Sequence, residues 1–158
     1  MFKVAQKRPE KSRLLAGRGL ALRVGMHPEA KRLNELSEQI IGAAIVVHRA
    51  LGPGLLETPY EECLCHELGK KGIEFDRQKP LPLVYEAVRL SCAFRMDLVV
   101  EGVVIVEIKS VTRFEAVHAA QLISYLKLSG LHLGLLFNFN VRNLSREGVM
   151  RKVNDFPE

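Results

Sequence analysis

Arg95-Met96-Asp97-Leu98-Val99-Val100-Glu101-Gly102-Val103-Val104-Ile105-Val106-Glu107-Ile108-Lys109 is the stretch on which the fold turns. Two segments rich in Val, Leu and Ile flank a Glu-Gly pair, and this pattern predicts a β-hairpin. Residues two apart in a strand share a face, so Glu107 and Lys109 project together while Ile108 enters the core. Counting around Glu101-Gly102 places Asp97 nearly opposite Glu107 on the paired strand, with Cβ atoms roughly 5 Å apart. The unbroken apolar run Val103 to Val106 reads as a strand buried on both faces. Two carboxylates and an ammonium group therefore lie beside an interior strand, where charge is costly unless it is paired or bound to a metal.

Upstream of the hairpin, residues 33–51 put Leu36, Ile40, Ala43, Ala44, Val47 and Leu51 near one helical face. Gly52-Pro53-Gly54 ends that helix. A second helix is predicted with Thr58 as N-cap, Pro59 in the first turn and Glu61 closing a capping box, running to about Lys71 and stopping at Gly72. Phe75 to Tyr85 is extended but carries Pro80 and Pro82, which suits an edge or bent strand. Val88 to Val100 and Val103 to Lys109 form the hairpin. Downstream, Glu115 to Ser129 is helical up to Gly130, Leu131 to Phe139 is an apolar strand, and a short strand is expected at Val149 to Val153. The order α-α-β-β-β-α-β implies an α/β domain with a mixed sheet flanked by helices.

A length of 158 residues fits one domain, and 47% hydrophobic with 26% charged residues fits an ordinary globular composition. No apolar run approaches the roughly 18 residues of a membrane span, so no membrane association is expected. The net charge of +5 is uneven. Residues 1–32 hold nine Lys or Arg against two Glu, whereas residues 33–158 are slightly acidic. We therefore expect a basic, flexible N-terminal segment (1–32) ahead of a folded domain (33–158). Such an arm strengthens binding to phosphate backbones through counterion release. It lacks the continuous apolar region of a secretory signal. The three cysteines, Cys63, Cys65 and Cys92, match neither a disulfide framework nor a zinc site. Idle thiols in a reducing cytosol, and so a cytoplasmic protein, are the expectation.

The chemistry of Asp97, Glu107 and Lys109 has one economical reading. Carboxylates at this spacing repel, and a hard divalent cation such as Mg2+ relieves the repulsion while keeping waters and a substrate phosphate in its shell. A protonated lysine orients an attacking water or stabilises charge on a phosphate, and the cation polarises the phosphoryl group. The bland alternative is an ion pair on a solvated face, since D-x9-E-x-K alone is a loose pattern.

Taken with its neighbours the pattern is more specific. D-x9-ExK on a hairpin between helices resembles the PD-(D/E)XK nuclease superfamily. Gly54-Leu55-Leu56-Glu57-Thr58-Pro59-Tyr60 resembles the signature of its GxxExxY family. The resemblance extends over about Leu33 to Val153 and includes His118-Ala119-Ala120-Gln121 and Asn138-Phe139-Asn140. It implies a restriction-endonuclease-like αβββαβ core with an extra N-terminal helix. It also implies Asp97 and Glu107 as metal ligands, the Ile108 carbonyl facing the metal, Lys109 as the catalytic lysine and Glu57 as the acidic residue of the first core helix. Gln121 and Tyr125, one helical turn apart, resemble the QxxxY pair that RecB-like members place beside the metal, with Gln121 holding Lys109 or a phosphate and Tyr125 touching nucleic acid. His118 lies on the same helical face. Arg95 shares the face of Asp97, where it pairs with a carboxylate or binds phosphate.

The expected activity is Mg2+- or Mn2+-dependent cleavage of nucleic acid, DNA first among substrates. Two other readings compete with it. One is a nuclease-like module that grips nucleic acid or a partner without cutting, favoured by the near-neutral folded part. The other is an assembly role, in which the apolar first helix forms a homodimer face.

Overall fold

The structure is a computed structural model and describes residues 25–158. Most of the basic N-terminal segment lies outside the described residues. The first helix, α1 (Pro28–Leu51), begins five residues earlier than the apolar pattern predicted. Pro28 stands in its first turn, where a missing N–H costs nothing, and the His27 ring caps it by accepting from the Glu29 N–H at 3.3 Å. The second helix, α2 (Glu57–Lys70), also starts early: Leu56 is its N-cap and offers no side-chain bond. The predicted Thr58–Glu61 capping box is therefore not formed. Glu61 is instead drawn into partners far along the chain.

Five strands follow in one sheet of order β1-β2-β3-β4-β5: β1 (Phe75–Tyr85), β2 (Val88–Val100), β3 (Val104–Lys109), β4 (Leu133–Asn138) and β5 (Val149–Val153). Helix α3 (Ala116–Ser129) connects β3 to β4, the one parallel pair. The other neighbours are antiparallel. A helical turn, α4 (Leu144–Glu147), precedes β5 and had no sequence signal beyond Asn143, whose side chain accepts from Arg146 N–H. The αβββαβ order and the proline-bearing edge strand β1 agree with the sequence reading.

The sheet is buried on both faces. Leu98, Val100, Val104, Val106 and Ile108 face α1 and α2, packing on Ile40, Ala43, Ala44, Leu64 and Leu68. Val99, Ile105 and Leu136 face α3, packing on Leu122 and Leu126. This explains the unbroken apolar run in β3. It also removes the face proposed for a homodimer, because Leu36, Ile40, Ala43, Ala44 and Val47 are used inside the chain's own core. Among the described residues no helix is long and apolar enough to cross a membrane, and all three cysteines are free.

Candidate functional site

The β2–β3 hairpin turns through Glu101 and Gly102, both with positive φ (51° and 68°), and Val103 N–H returns to the Val100 carbonyl at 3.0 Å. This mirror-image turn matches the twist of paired strands. It sets the register Val100↔Val104, Val99↔Ile105 and Leu98↔Val106. One further step brings Asp97 opposite Glu107. There the backbone ladder stops and side chains replace it. The Asp97 N–H donates to Glu107 Oε1 at 3.1 Å, and the Ile108 N–H donates to Asp97 Oδ2 at 2.8 Å.

The strands part here because β1 and β2 are both irregular at this level. Gln78, across from Asp97, has φ 47°, a left-handed backbone unusual for a residue with a side chain. Alternation breaks with it: Met96 joins the α3 layer although Leu98 and Val100 belong to the α1/α2 layer. Asp97 sits on that break and points at β3.

The gap is electrostatically loaded. Burial raises the carboxyl of Glu107, the charge of Asp97 raises it further, and it reaches about 8 despite the Asp97 N–H and Lys109. Asp97 is also raised, first by burial and then by the charge of Glu61, against the Ile108 N–H, Gln78 and Lys109. Lys109 Nζ donates to Gln121 Oε1 at 3.4 Å, tying β3 to α3. One turn on, the Tyr125 hydroxyl is raised by burial and then by the charges of Glu107 and Asp97. Its ring meets that of Phe94 at 5.5 Å between centroids. Asp97, Glu107, Lys109, Gln121 and Tyr125 therefore form one cluster between β2, β3 and α3.

The remaining residues singled out in the sequence have partners of their own. Glu57 Oε1 accepts from the Ser110 N–H at 3.2 Å, so the first turn of α2 holds the chain just beyond Lys109. Tyr60 is fully buried, stacks on Phe139 at 4.4 Å and donates to the Gly52 carbonyl at 2.6 Å, which fixes the loop before α2. Arg95 donates to the Gln78 carbonyl at 3.3 Å, and forms no carboxylate pair among the described residues. His118 lies at the start of α3, with its Nδ1 accepting from Glu115 N–H at 3.0 Å. His48, on α1, meets the Val141 carbonyl at 2.8 Å and is part of the packing.

A family model described as the PD-(D/E)XK nuclease superfamily matches residues 34–152, most of the chain. The chain belongs to the PD-(D/E)XK nuclease superfamily. No curated protein and no solved structure matches it. Asp97 and Glu107 stand where the hairpin opens, with Lys109 two residues beyond Glu107. The mixed five-stranded sheet between helices is the restriction-endonuclease-like fold of that superfamily.

Members of the PD-(D/E)XK superfamily generally use divalent metals, and the donor chemistry here suits one. Among the described residues no group of three or more His, Cys, Asp or Glu side chains stands at metal-binding spacing. Magnesium needs fewer, taking one or two carboxylates and filling the rest of its shell with water and phosphate. A strand residue's N–H and C=O point the same way. Because the Ile108 N–H reaches Asp97, the Ile108 carbonyl also faces the gap. Two carboxyls raised first by burial, with the charge of Asp97 adding to the shift of Glu107 and a carbonyl beside them, are what a small hard cation would relieve.

Glu61 is the participant that sequence reasoning missed. It is 6% exposed and accepts from Arg77 Nε at 3.0 Å and Gln78 Nε2 at 2.9 Å. The same Gln78 Nε2 lies 3.4 Å from Asp97 Oδ1. A third carboxylate thus reaches the cluster through one amide. Its helical spacing to Leu64, Cys65 and Leu68, all buried, was the available signal.

Proposed function

We propose that this protein is a metal-dependent nuclease of the GxxExxY type, hydrolysing nucleic-acid phosphodiester bonds, with DNA the first substrate to test. The observation that carries the proposal is the meeting of Asp97 and Glu107 at an open rung of the sheet, with Lys109 on the same face. Asp97, Glu107 and the Ile108 carbonyl would hold Mg2+ or Mn2+, with Glu57 as a further acidic contributor from α2. The bound cation supplies Lewis-acid polarisation of the scissile phosphate and a lowered pKa for a bound water. Lys109, steadied by Gln121, donates to the phosphate oxygen that gains charge as the water attacks. Tyr125, His118 and Arg95 contact the substrate strand around that point. The slight acidity of residues 33–158 is unlike the basic groove of an isolated nuclease and favours a second reading, a module on a nuclease-like fold that grips a partner or nucleic acid without cutting.

Labelled single- and double-stranded DNA and RNA, incubated with Mg2+, Mn2+ or EDTA beside the Asp97→Ala variant, separate the two. Cleavage that needs metal and Asp97 is the expected result. Binding without cleavage under every metal condition would leave the second reading.

A further inference from the structure

A second feature lies at the C-terminal ends of β3 and β4, just past Lys109. An open cleft of about 570 Å3 is bounded there by Thr112, Arg113, Glu115, His118 and Asn140. The crevice outside the carboxyl ends of parallel strands is where open α/β sheets bind ligands. Its wall is rigidly built. Asn138, 1% exposed, clamps Val111 from both sides, accepting from its N–H at 3.1 Å and donating to its carbonyl at 2.9 Å. Asn138 also accepts from the Asn140 N–H at 3.1 Å.

The side chains on that wall present donors. Arg113 is exposed and takes part in no ion pair among the described residues. The Nδ1 of His118 accepts a backbone N–H, so its ring proton sits on Nε2, the nitrogen left to donate. The acidic member, Glu115, is exposed, and its backbone carbonyl accepts from the His118 N–H at 3.0 Å. An arginine fork, an imidazole N–H and a hydroxyl match the oxygens of a phosphate group, with Glu115 the one acidic side chain on the same wall.

We propose that this cleft binds a second phosphate of the nucleic-acid strand, flanking the one poised over Lys109, with Arg113 as its principal contact. This inference rests on the nuclease reading. A contact of this kind sets the strand's position while reading no sequence. The phosphate is either an internal diester or a terminal monoester, and the chemistry of recognition is the same.

The test measures binding of the full chain in EDTA, so that cleavage plays no part, by fluorescence anisotropy across a salt series. Probes are a labelled single-stranded oligonucleotide with a 5′-phosphate and its 5′-hydroxyl counterpart. Arg113→Ala is compared with wild type and with Arg32→Ala, an exposed arginine on α1 that controls for net charge. Arg113→Ala should weaken binding and lower the slope of log affinity against log salt by about 0.7, one single-strand phosphate contact. An equal loss on both probes identifies an internal diester, and a loss confined to the phosphorylated probe identifies a terminal one. Affinity and slope unchanged from wild type, matched by Arg32→Ala, or too weak to measure even in wild type, would each overturn the proposal. Wild type that binds but never cleaves with Mg2+ or Mn2+ would sink the hydrolase reading and leave the phosphate cleft standing.

Discussion

At the level of single residues, protonation of Glu107 is the most consequential property of the site. Its carboxyl rises from 4.5 to about 8 on folding. Across that window the folded chain holds a proton that the unfolded chain releases, so stability declines as pH rises. The decline is at most about 1.4 kcal/mol per pH unit for one proton. Asp97 is shifted in the same direction. Urea unfolding of metal-free protein should therefore show a falling midpoint between about pH 5 and about pH 8. In Glu107→Gln most of that pH dependence should disappear. A wild-type midpoint that climbs over this range contradicts the electrostatic description. Mg2+ competes with the proton, so its stabilising effect should be larger at the alkaline end. Calorimetry with Mg2+ or Mn2+ should register heat for wild type and none for Glu107→Ala. Lys109→Ala should keep both fold and metal binding while losing cleavage by a factor of about 100 or more, the usual cost of removing one transition-state donor. Undiminished turnover in that variant would reassign the lysine.

At the level of elements, tight packing of α3 on the sheet fixes Gln121 and Tyr125 relative to β3. Gly134 on β4 faces Leu122, and a Cβ there would come within 2.6 Å of Leu122 Cδ1. Gly134→Ala should cost about 1–3 kcal/mol by overpacking. Leu122→Val in the same chain should recover part of the loss, read from a double-mutant cycle by chemical denaturation. Additive effects would show that the two positions do not press on each other. The elements also differ in how legible they were. The hairpin could be read because its register follows from counting around two turn residues, and β3 because a strand covered on both faces has no polar alternation. The start of α2 could not. Thr58 and Glu61 spell a capping box, yet Arg77, sixteen residues along, offers Glu61 a stronger partner at 3.0 Å. Local spacing carries no trace of such a distant competitor. The left-handed Gln78 was equally silent, since nothing in Arg77-Gln78-Lys79 marks a position needing positive φ.

Across the whole molecule, one continuous sheet holds two packed layers, and the cluster lies where the sheet opens between them. Leu98, buried next to Asp97 in the α1/α2 layer, ties stability to site geometry. Leu98→Ala should cost about 2–5 kcal/mol and broaden the thermal transition; a loss well below that range would show that the layer closes over the cavity. Charge is distributed on the same large scale. Seven of the chain's Lys and Arg residues precede residue 25. Removing residues 1–24 should make nucleic-acid affinity less sensitive to salt, as judged by the same anisotropy series; an unaltered slope would assign the binding charge to residues 25–158. The apolar face of α1 was legible from residue 33 onward, but the helix starts a turn earlier because Pro28 and the His27 cap begin it before any apolar repeat.

The open rung at Asp97 and Glu107 has a spectroscopic corollary. Two main-chain amides, those of Asp97 and Ile108, are bonded to titratable side chains instead of to carbonyls. Whatever draws those carboxylates away, be it a proton or an ion, must alter the shielding of both amide nitrogens while their neighbours at Val99 and Ile105 stay on the ladder. The protein thus carries an intrinsic pair of isotope-readable indicators at the heart of its site, and occupancy there can be followed without an attached probe, a substrate or a turnover assay.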